Sequence, residues 1–255
     1  LGQGVCDLTT DDNNTALIAE ENTNHITLDT VNANKFKIGQ TVSIGTANYN
    51  DSEIANNRII TSIETHTEGL NGMDIYFDGD PVNIAVGNIL YSQPIKSGQC
   101  DSLGMKSGCF SDDGKSSMIY RGIENIYGNI AQTIDGININ NYTVYVNYNH
   151  NTYANKKYDG DYKAIEYNIG QNDGWIKSLG YDLNNPLIKL PTEVGGSDTT
   201  YLADYYYTGG GERQITVGYK LDSEKRAGLW ACQLIGLTVD PKSKKFGTRY
   251  MKNIN

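Results

Sequence analysis

Along residues 1 to about 93, apolar positions recur at every second residue in short runs, and helical spacing is almost absent. "HITLDTV" (residues 25–31) alternates, and "FKIGQTVSIG" (36–45) alternates around Gly39. "NRIITSIET" (57–65), "GMDIYFDG" (72–79) and "NIAVGNILYS" (83–92) follow, separated by Gly, Asn and Asp. Period-two runs bounded by turn residues predict half-buried strands, and several in succession predict a small β-barrel or sandwich. The Pro, Gly and Ser of "SQPIKSGQCDSLGMKSG" (92–108) then read as a linker. The expected organisation is a β-rich module over residues 1–98 and a second domain over 99–255.

The period changes in "YRGIENIYGNIAQTIDGININNY" (120–142). Ile123, Ile126, Tyr127, Ile130 and Ile134 fall at i, i+3, i+4, i+7 and i+11, which predicts an amphipathic helix. Gly128 inside it costs about 1 kcal/mol relative to Ala, and Gly136 is expected to end it in a left-handed conformation. In "NYTVYVNYNH" (141–150) the period returns to two, with Tyr142, Val144, Val146 and Tyr148 on one face. Further on, "YKAIEYNIG" (162–170) predicts a strand, and "TYLADYYYTGGGERQITVGYKL" (200–221) predicts a hairpin across Gly209, Gly210 and Gly211. "AGLWACQLIGLTVD" (227–240) and "KFGTRYMK" (245–252) predict two more strands. The fold class expected is mainly β with minor α.

Composition narrows the function classes. Of 255 residues, 19 are Tyr and only 4 are Phe, a bias that suits sheets whose rings keep a polar edge. A net charge of −9 argues against a nucleic-acid surface, which needs a basic stripe. The densest basic run, "KSKK" (242–245), reads as a solvated turn. No apolar stretch is long enough to span a bilayer, so no membrane insertion is expected. The opening "LGQGVCDLTTDD" reads as the interior of a longer polypeptide or a processed product.

The four cysteines, Cys6, Cys100, Cys109 and Cys232, form no CxxC pair and lack zinc spacing, which favours free thiols over a disulfide framework. Three histidines, His25, His66 and His150, offer little to a hydrolytic triad, and His150 lies in a polar loop. Asp159, Asp161, Glu166, Asp182, Glu193 and Asp204 are the carboxylates from which a glycosidase pair would be drawn. "YDGDY" (158–162) offers calcium oxygens at Asp159 and Asp161 but lacks the rest of an EF-hand loop. No cofactor or metal is expected, and the chain reads as a non-enzyme. Tyrosines carry more: Tyr205, Tyr206 and Tyr207 must alternate across a strand, so at least one faces outward.

"RGIENIYGNIAQTIDGIN" (121–138) resembles the helix of the C-type lectin fold in its formylglycine-generating-enzyme-like branch, with Gly128 and Asn129 as its glycine-asparagine pair. "KFGTRYMK" is similar to that family's final strand through Gly247, Arg249 and Tyr250. "ERQITVGYKL" and "AGLWACQL" resemble the segment before it, with Gly218 and Gly228 at the turns. The resemblance runs from Cys100 to Asn255. It implies a C-type-lectin-like α+β domain in which Arg121, Glu124, Gly128, Asn129, Gly247 and Arg249 are structural. The oxidase chemistry of the enzyme branch needs two nearby cysteines in the carboxy-terminal part of its domain, where this sequence has only Cys232.

More narrowly, "SLGMKSG", "MIYRGIENIYGNI" and "GYDLNNPLIKLPTEVGGS" resemble carboxy-terminal display domains of phage and prophage virion proteins. That resemblance implies a tail, fibre or capsid-associated protein, localised to the virion and assembled in the bacterial cytoplasm. Its partners would be other virion proteins, copies of itself in a homo-oligomer, and a bacterial surface glycan or protein. By position, the ligand-binding face would comprise Tyr205, Tyr207, Tyr219, Trp230 and Gln233. The alternatives are a decoration segment without its own ligand and a cell-wall glycan hydrolase.

Overall fold

The computed structural model describes residues 6–7, 13–47, 53–98, 100, 119–120, 122–237 and 246–247. These fall in two compact units, one within Cys6–Asn125 and one within Ile126–Pro241 and Lys245–Asn255. The units divide in the chain between Asn125 and Ile126, later than the expected boundary near residue 98. The protein is mainly β, with very little helix.

The amino-terminal unit contains β1 (Cys6–Asp7), β2 (Glu20–Thr23), β3 (His25–Asp29), α1 (Thr30–Ala33), β4 (Thr41–Gly45) and β5 (Glu53–Thr65). They are followed by β6 (Gly72–Phe77), β7 (Val82–Ile84), β8 (Ile89–Ser92), β9 (Ile119–Tyr120) and β10 (Ile123–Glu124). Five strands make one antiparallel sheet in the order β3-β6-β5-β4-β8. The long β5 pairs with β4 through its first half and with β6 through its second. The two edges of this sheet are joined by residues 14–17. Leu90 N–H donates to Asn14 O (2.9 Å) and Ala16 N–H to Asn88 O (2.7 Å) on the β8 side, while Leu17 N–H donates to Thr27 O (2.9 Å) on β3. A short segment rather than a full strand thus links the edges of this sheet, where the sequence predicts a small barrel or sandwich. Alternate residues Ile26 and Leu28, Val42 and Ile44, and Ile75 and Phe77 fill its interior.

The carboxy-terminal unit contains β11 (Ala131–Thr133), β12 (Ile137–Asn140), β13 (Thr143–Val146), β14 (Lys163–Asn168), β15 (Gly174–Leu179) and β16 (Pro191–Val194). It continues with β17 (Tyr205–Tyr207), β18 (Glu212–Val217), β19 (Asp222–Glu224), β20 (Cys232–Gly236) and β21 (Phe246–Gly247). Its main sheet runs β14-β13-β12-β18-β20-β17-β15-β16, and β11 lies beside the far half of β18 and pairs with β21. Strands along that path send side chains into one core, among them Ile139, Val144, Ile165, Ile176, Tyr206, Ile215 and Leu234, with Val194 of β16 packed against it. The sheet therefore curls around its core, and its ends meet: Gly170 N–H, just beyond β14, donates to Pro191 O at the start of β16 (2.9 Å). Beside that bond the Tyr167 hydroxyl donates to Ile188 O (2.9 Å) and accepts from Leu190 N–H (3.0 Å).

Two sequence expectations are corrected here. The stretch 120–134 is not a helix. Asn125 and Gly128 take φ of +57° and +73°, left-handed values that interrupt any helix. Asn125 is buried and donates from Nδ2 to Ile95 O (3.2 Å), while Gly128 N–H reaches Gly218 O (2.7 Å). The isoleucine stripe is split accordingly, since Ile123 is 55% exposed and Ala131 begins a strand. Among the described residues the carboxy-terminal unit has only a 3-10 turn at His150–Thr152 in place of the α-helix expected there. Second, β17 and β18 are not a hairpin, because β20 lies between them and pairs parallel with β17 and antiparallel with β18.

Of the residues expected to be structural, Glu124 accepts from Gly98 N–H, and Asn129 is buried and bridges to Lys220. Gly247 lies opposite Gln132 in the β11–β21 pair. Arg121, Arg249 and Tyr250 lie outside the described residues.

Gly136 keeps the left-handed conformation expected of it (φ +77°), but in the turn between β11 and β12. A Cβ there would sit 2.7 Å from Asn147 O and from the Tyr153 ring, whereas at Gly211 (φ +79°) a Cβ would meet nothing within 4 Å. Gly136→Ala should therefore destabilise the unit by about 3 kcal/mol, and Gly211→Ala by only about 1 kcal/mol from backbone strain alone. Denaturant unfolding of the two variants measures the difference.

Candidate functional site

Strand β17 sorts its three tyrosines by alternation. Tyr206 points into the core, fully buried, with its hydroxyl on Gly170 O and Thr208 Oγ1 (both 2.9 Å). Burial pushes that phenol well above its ordinary pKa, so it acts as a neutral structural group. Tyr205 and Tyr207 necessarily face outward, half-buried and 47% exposed respectively. Register carries the same face sideways. Tyr205 stands opposite Trp175 on β15, their rings 5.3 Å apart in an edge-to-face arrangement at 87°. Tyr207 stands opposite Gln233 on β20, and Gln233 opposite Thr216 on β18.

The loop 226–231 borders this face. The Arg226 guanidinium lies 5.4 Å from the Tyr205 ring centroid, within cation–π range, and Tyr205 N–H donates to Arg226 O (3.3 Å). The loop is held from below by Asp204, 5% exposed, whose Oδ2 accepts from Trp230 N–H at 2.6 Å. A Cβ on Gly228 would lie 1.9 Å from Asp204 Oδ1, so only glycine allows the carboxyl this seat. Burial raises the Asp204 carboxyl to about 6, against the opposing pull of its backbone N–H donors at Trp230 and Ala231.

Four of the five expected ligand-face residues thus gather near one face, with different exposure. Tyr205, Tyr207 and Gln233 lie on it. Trp230 is half-buried and packs partly against the core. Tyr219 contributes little surface: it is 7% exposed with φ +56°, and its buried hydroxyl has no hydrogen-bond partner among the described residues. Trp175 and Arg226 were missed by sequence reasoning. The signal for Trp175 was present in "GWIKSL" (174–179), where Ile176 takes the core and its neighbours must face out. Arg226 had no local signal, because its place over Tyr205 depends on a crossover connection.

Most carboxylates of the hydrolase alternative accept hydrogen bonds from loops or pair with a lysine. Asp182, 1% exposed, accepts from Glu166 N–H (3.1 Å), Asn184 N–H (2.8 Å) and Asn185 Nδ2 (2.7 Å), and these bonds keep its pKa below the usual range. Glu166 accepts from Asn184 Nδ2 (2.7 Å) and Glu193 pairs with Lys177 (2.6 Å). Asp161 accepts from Thr152 Oγ1 (2.6 Å) and Asn149 Nδ2 (3.4 Å). No group of three metal-ligating side chains, at Asp159 and Asp161 or elsewhere, occurs among the described residues. Cys100 and Cys232 are buried, and burial raises the Cys232 thiol far above its ordinary value, which leaves it unreactive.

In the amino-terminal unit His25 lies between Thr23 Oγ1 (2.9 Å from Nδ1) and Glu20 Oε2 (2.8 Å from Nε2). The Thr23 hydroxyl also takes the His25 backbone N–H (3.2 Å), so the array ties the β2–β3 corner together. His66 similarly contacts Asp74, which accepts from Thr27 Oγ1 (2.6 Å). His150 opens the 3-10 turn and is exposed.

No family model, curated protein or solved structure matches the chain.

The Asp204 seat makes a pH prediction. An unfolded carboxyl titrates near 3.8 and the folded one near 6, so folding is favoured by this group below about pH 4 and loses that contribution as pH rises through 6. A carboxyl raised that far by burial accounts for about 3 kcal/mol across this range. Between pH 4 and pH 7, the stability of wild type minus that of Asp204→Asn should fall by that amount, as read from urea unfolding at each pH.

Proposed function

We propose that the carboxy-terminal unit is a saccharide-binding module that recognises a bacterial surface glycan, and that the chain is a virion component using it for host attachment. The observation that carries the reading is the outward group of Trp175, Tyr205 and Tyr207 on adjacent strands, with Arg226 beside it and Gln233 in register. Flat rings offer apolar faces to the C–H side of a pyranose, and the guanidinium and amide supply hydrogen bonds to its hydroxyls. Such sites are weak singly and gain strength when many copies are displayed on one particle. The virion role, and the finer C-type-lectin-like description of the domain, rest on the sequence resemblance. The resemblance's helix is replaced by turns and short strands, so the binding proposal is built on the sheet face.

A second reading is favoured by one observation. Loop 181–188 is fixed by Asp182, yet it displays Leu183 at 76%, Leu187 at 86% and Tyr181 at 59% exposure. A well-fixed loop that keeps leucines in water suits a contact with another subunit, as expected of a decoration segment or a homo-oligomer.

The test is binding of the chain to immobilised bacterial surface polysaccharides. Trp175→Ala, Tyr205→Ala and Tyr207→Ala should each weaken binding about tenfold. Tyr219→Phe, which removes only an unpartnered buried hydroxyl, should bind as wild type does. Unchanged affinity in all three alanine variants would overturn the assignment of the face.

A further inference from the structure

Loop 226–231 is tied to β17 chiefly through one side chain. The Asp204 carboxyl accepts from Trp230 N–H (2.6 Å) and from Ala231 N–H, while Tyr205 N–H makes a longer bond to Arg226 O (3.3 Å). Other bonds of this stretch close turns within residues 223–231, Arg226 N–H to Ser223 O (3.0 Å) and Ala231 N–H to Gly228 O (3.3 Å). At the far end Ala231 O accepts from Gly218 N–H (2.9 Å) and returns the chain to the sheet. The loop covers the carboxyl so closely that Gly228 has no room for a Cβ.

No lysine, arginine or histidine among the described residues pairs with Asp204. The loop offers it backbone N–H groups, and β15 meets only its main chain, through Ile176 N–H on Asp204 O (2.8 Å). From β20 comes the Cys232 thiol, kept neutral by burial. The charged side chains on the approach to the loop are engaged elsewhere or exposed. Lys220 pairs with Asp222 (3.5 Å), Lys225 with Asp198 (2.9 Å), Arg226 lies over Tyr205, and Glu224 faces water. An ionised Asp204 under the closed loop is therefore a buried charge answered by two N–H dipoles, whereas an open loop exposes it to water.

We propose that Asp204 is a positioning residue for the aromatic face: protonated, it holds loop 226–231 closed with Arg226 seated on Tyr205, and ionised, it favours release of the loop. The sign follows from linkage. The carboxyl titrates near 3.8 when hydrated and near 6 when covered, so closure is favoured fully below about pH 4 and loses that advantage as pH rises through 6. Release of this kind is a local opening, distinct from unfolding of the sheet. Its link to ligand binding rests on the saccharide reading of the face; the gate itself does not.

Amide hydrogen exchange of the full chain from pH 4 to pH 7, with intrinsic rates divided out, tests it. The Tyr205, Trp230 and Ala231 N–H groups should exchange through a smaller opening than Ile176 N–H, which reports the sheet. Their opening constants should rise on the order of 100-fold from pH 4 to pH 7, and stay level in Asp204→Asn. If that variant does not fold, the wild-type contrast with Ile176 decides alone. Opening of the three amides only together with Ile176, or a pH response that persists in Asp204→Asn, would overturn the gate. Saturation with a bacterial surface polysaccharide should slow the three amides selectively, because a ligand of the closed face disfavours the open loop. Bound polysaccharide with unchanged exchange would overturn the link between loop and ligand face. Failure of every polysaccharide to bind, with the pH response intact, would remove the saccharide reading and leave the gate standing.

Discussion

A curled sheet holds its shape only if its two end strands find partners, and the carboxy-terminal unit depends on that closure. The ends of its path, β14 and β16, meet through Gly170 N–H and Pro191 O, with the Tyr167 hydroxyl serving as donor to Ile188 and acceptor from Leu190. An open edge would present unpaired backbone groups to water and to other chains. Closure also commits the inward residues of nearly every strand to one core, while the outward positions range from buried Asn138 and Thr216 to exposed Tyr207. The amino-terminal unit meets the same constraint through residues 14–17. There the polar side chains are used differently: Thr27, Asp74 and His66 satisfy one another, and Tyr76 is stacked against His25.

Closure explains why the acidic residues are structural. Loops that cross the outside of a closed sheet cannot take backbone hydrogen bonds from it, so their own N–H groups need side-chain acceptors. Asp182 and Asp204 fill that role for loops 182–188 and 226–231, and Asp161 does so for a hydroxyl and an amide near the 3-10 turn. The contrast between Asp182, held low by its donors, and Asp204, raised by burial, reflects how completely donors offset desolvation at each seat.

Much of the strand content was legible, because period two survives wherever one face is buried. "HITLD", "GMDIYF" and "TVYV" all became strands; "TVYV" alternates, whereas in the first two Thr27 and Asp74 are buried as well and bond to each other. The failures share a cause. In residues 123–134 an i, i+3, i+4 spacing arose from two strands and the turns between them, and left-handed Asn125 looks like any other asparagine in a sequence. The supposed hairpin at Gly209–Gly211 failed because chain proximity is a poor guide to pairing when a later strand, β20, inserts between two earlier ones. Alternation required at least one outward tyrosine among Tyr205, Tyr206 and Tyr207, and the resemblance singled out Tyr205 and Tyr207. Tyr219 was misplaced because its positive φ puts it off the strand pattern, and Trp175 was missed although it obeyed that pattern.

The outer face also constrains what can bind. The interior of the curled sheet is filled by side chains, so the proposed recognition lies on its outer surface. Edge-to-face contact with Trp175 and the flanking Arg226 restrict the Tyr205 ring before any ligand arrives, which lowers the ordering cost of binding. Tyr207, 47% exposed, gains more contact area on covering.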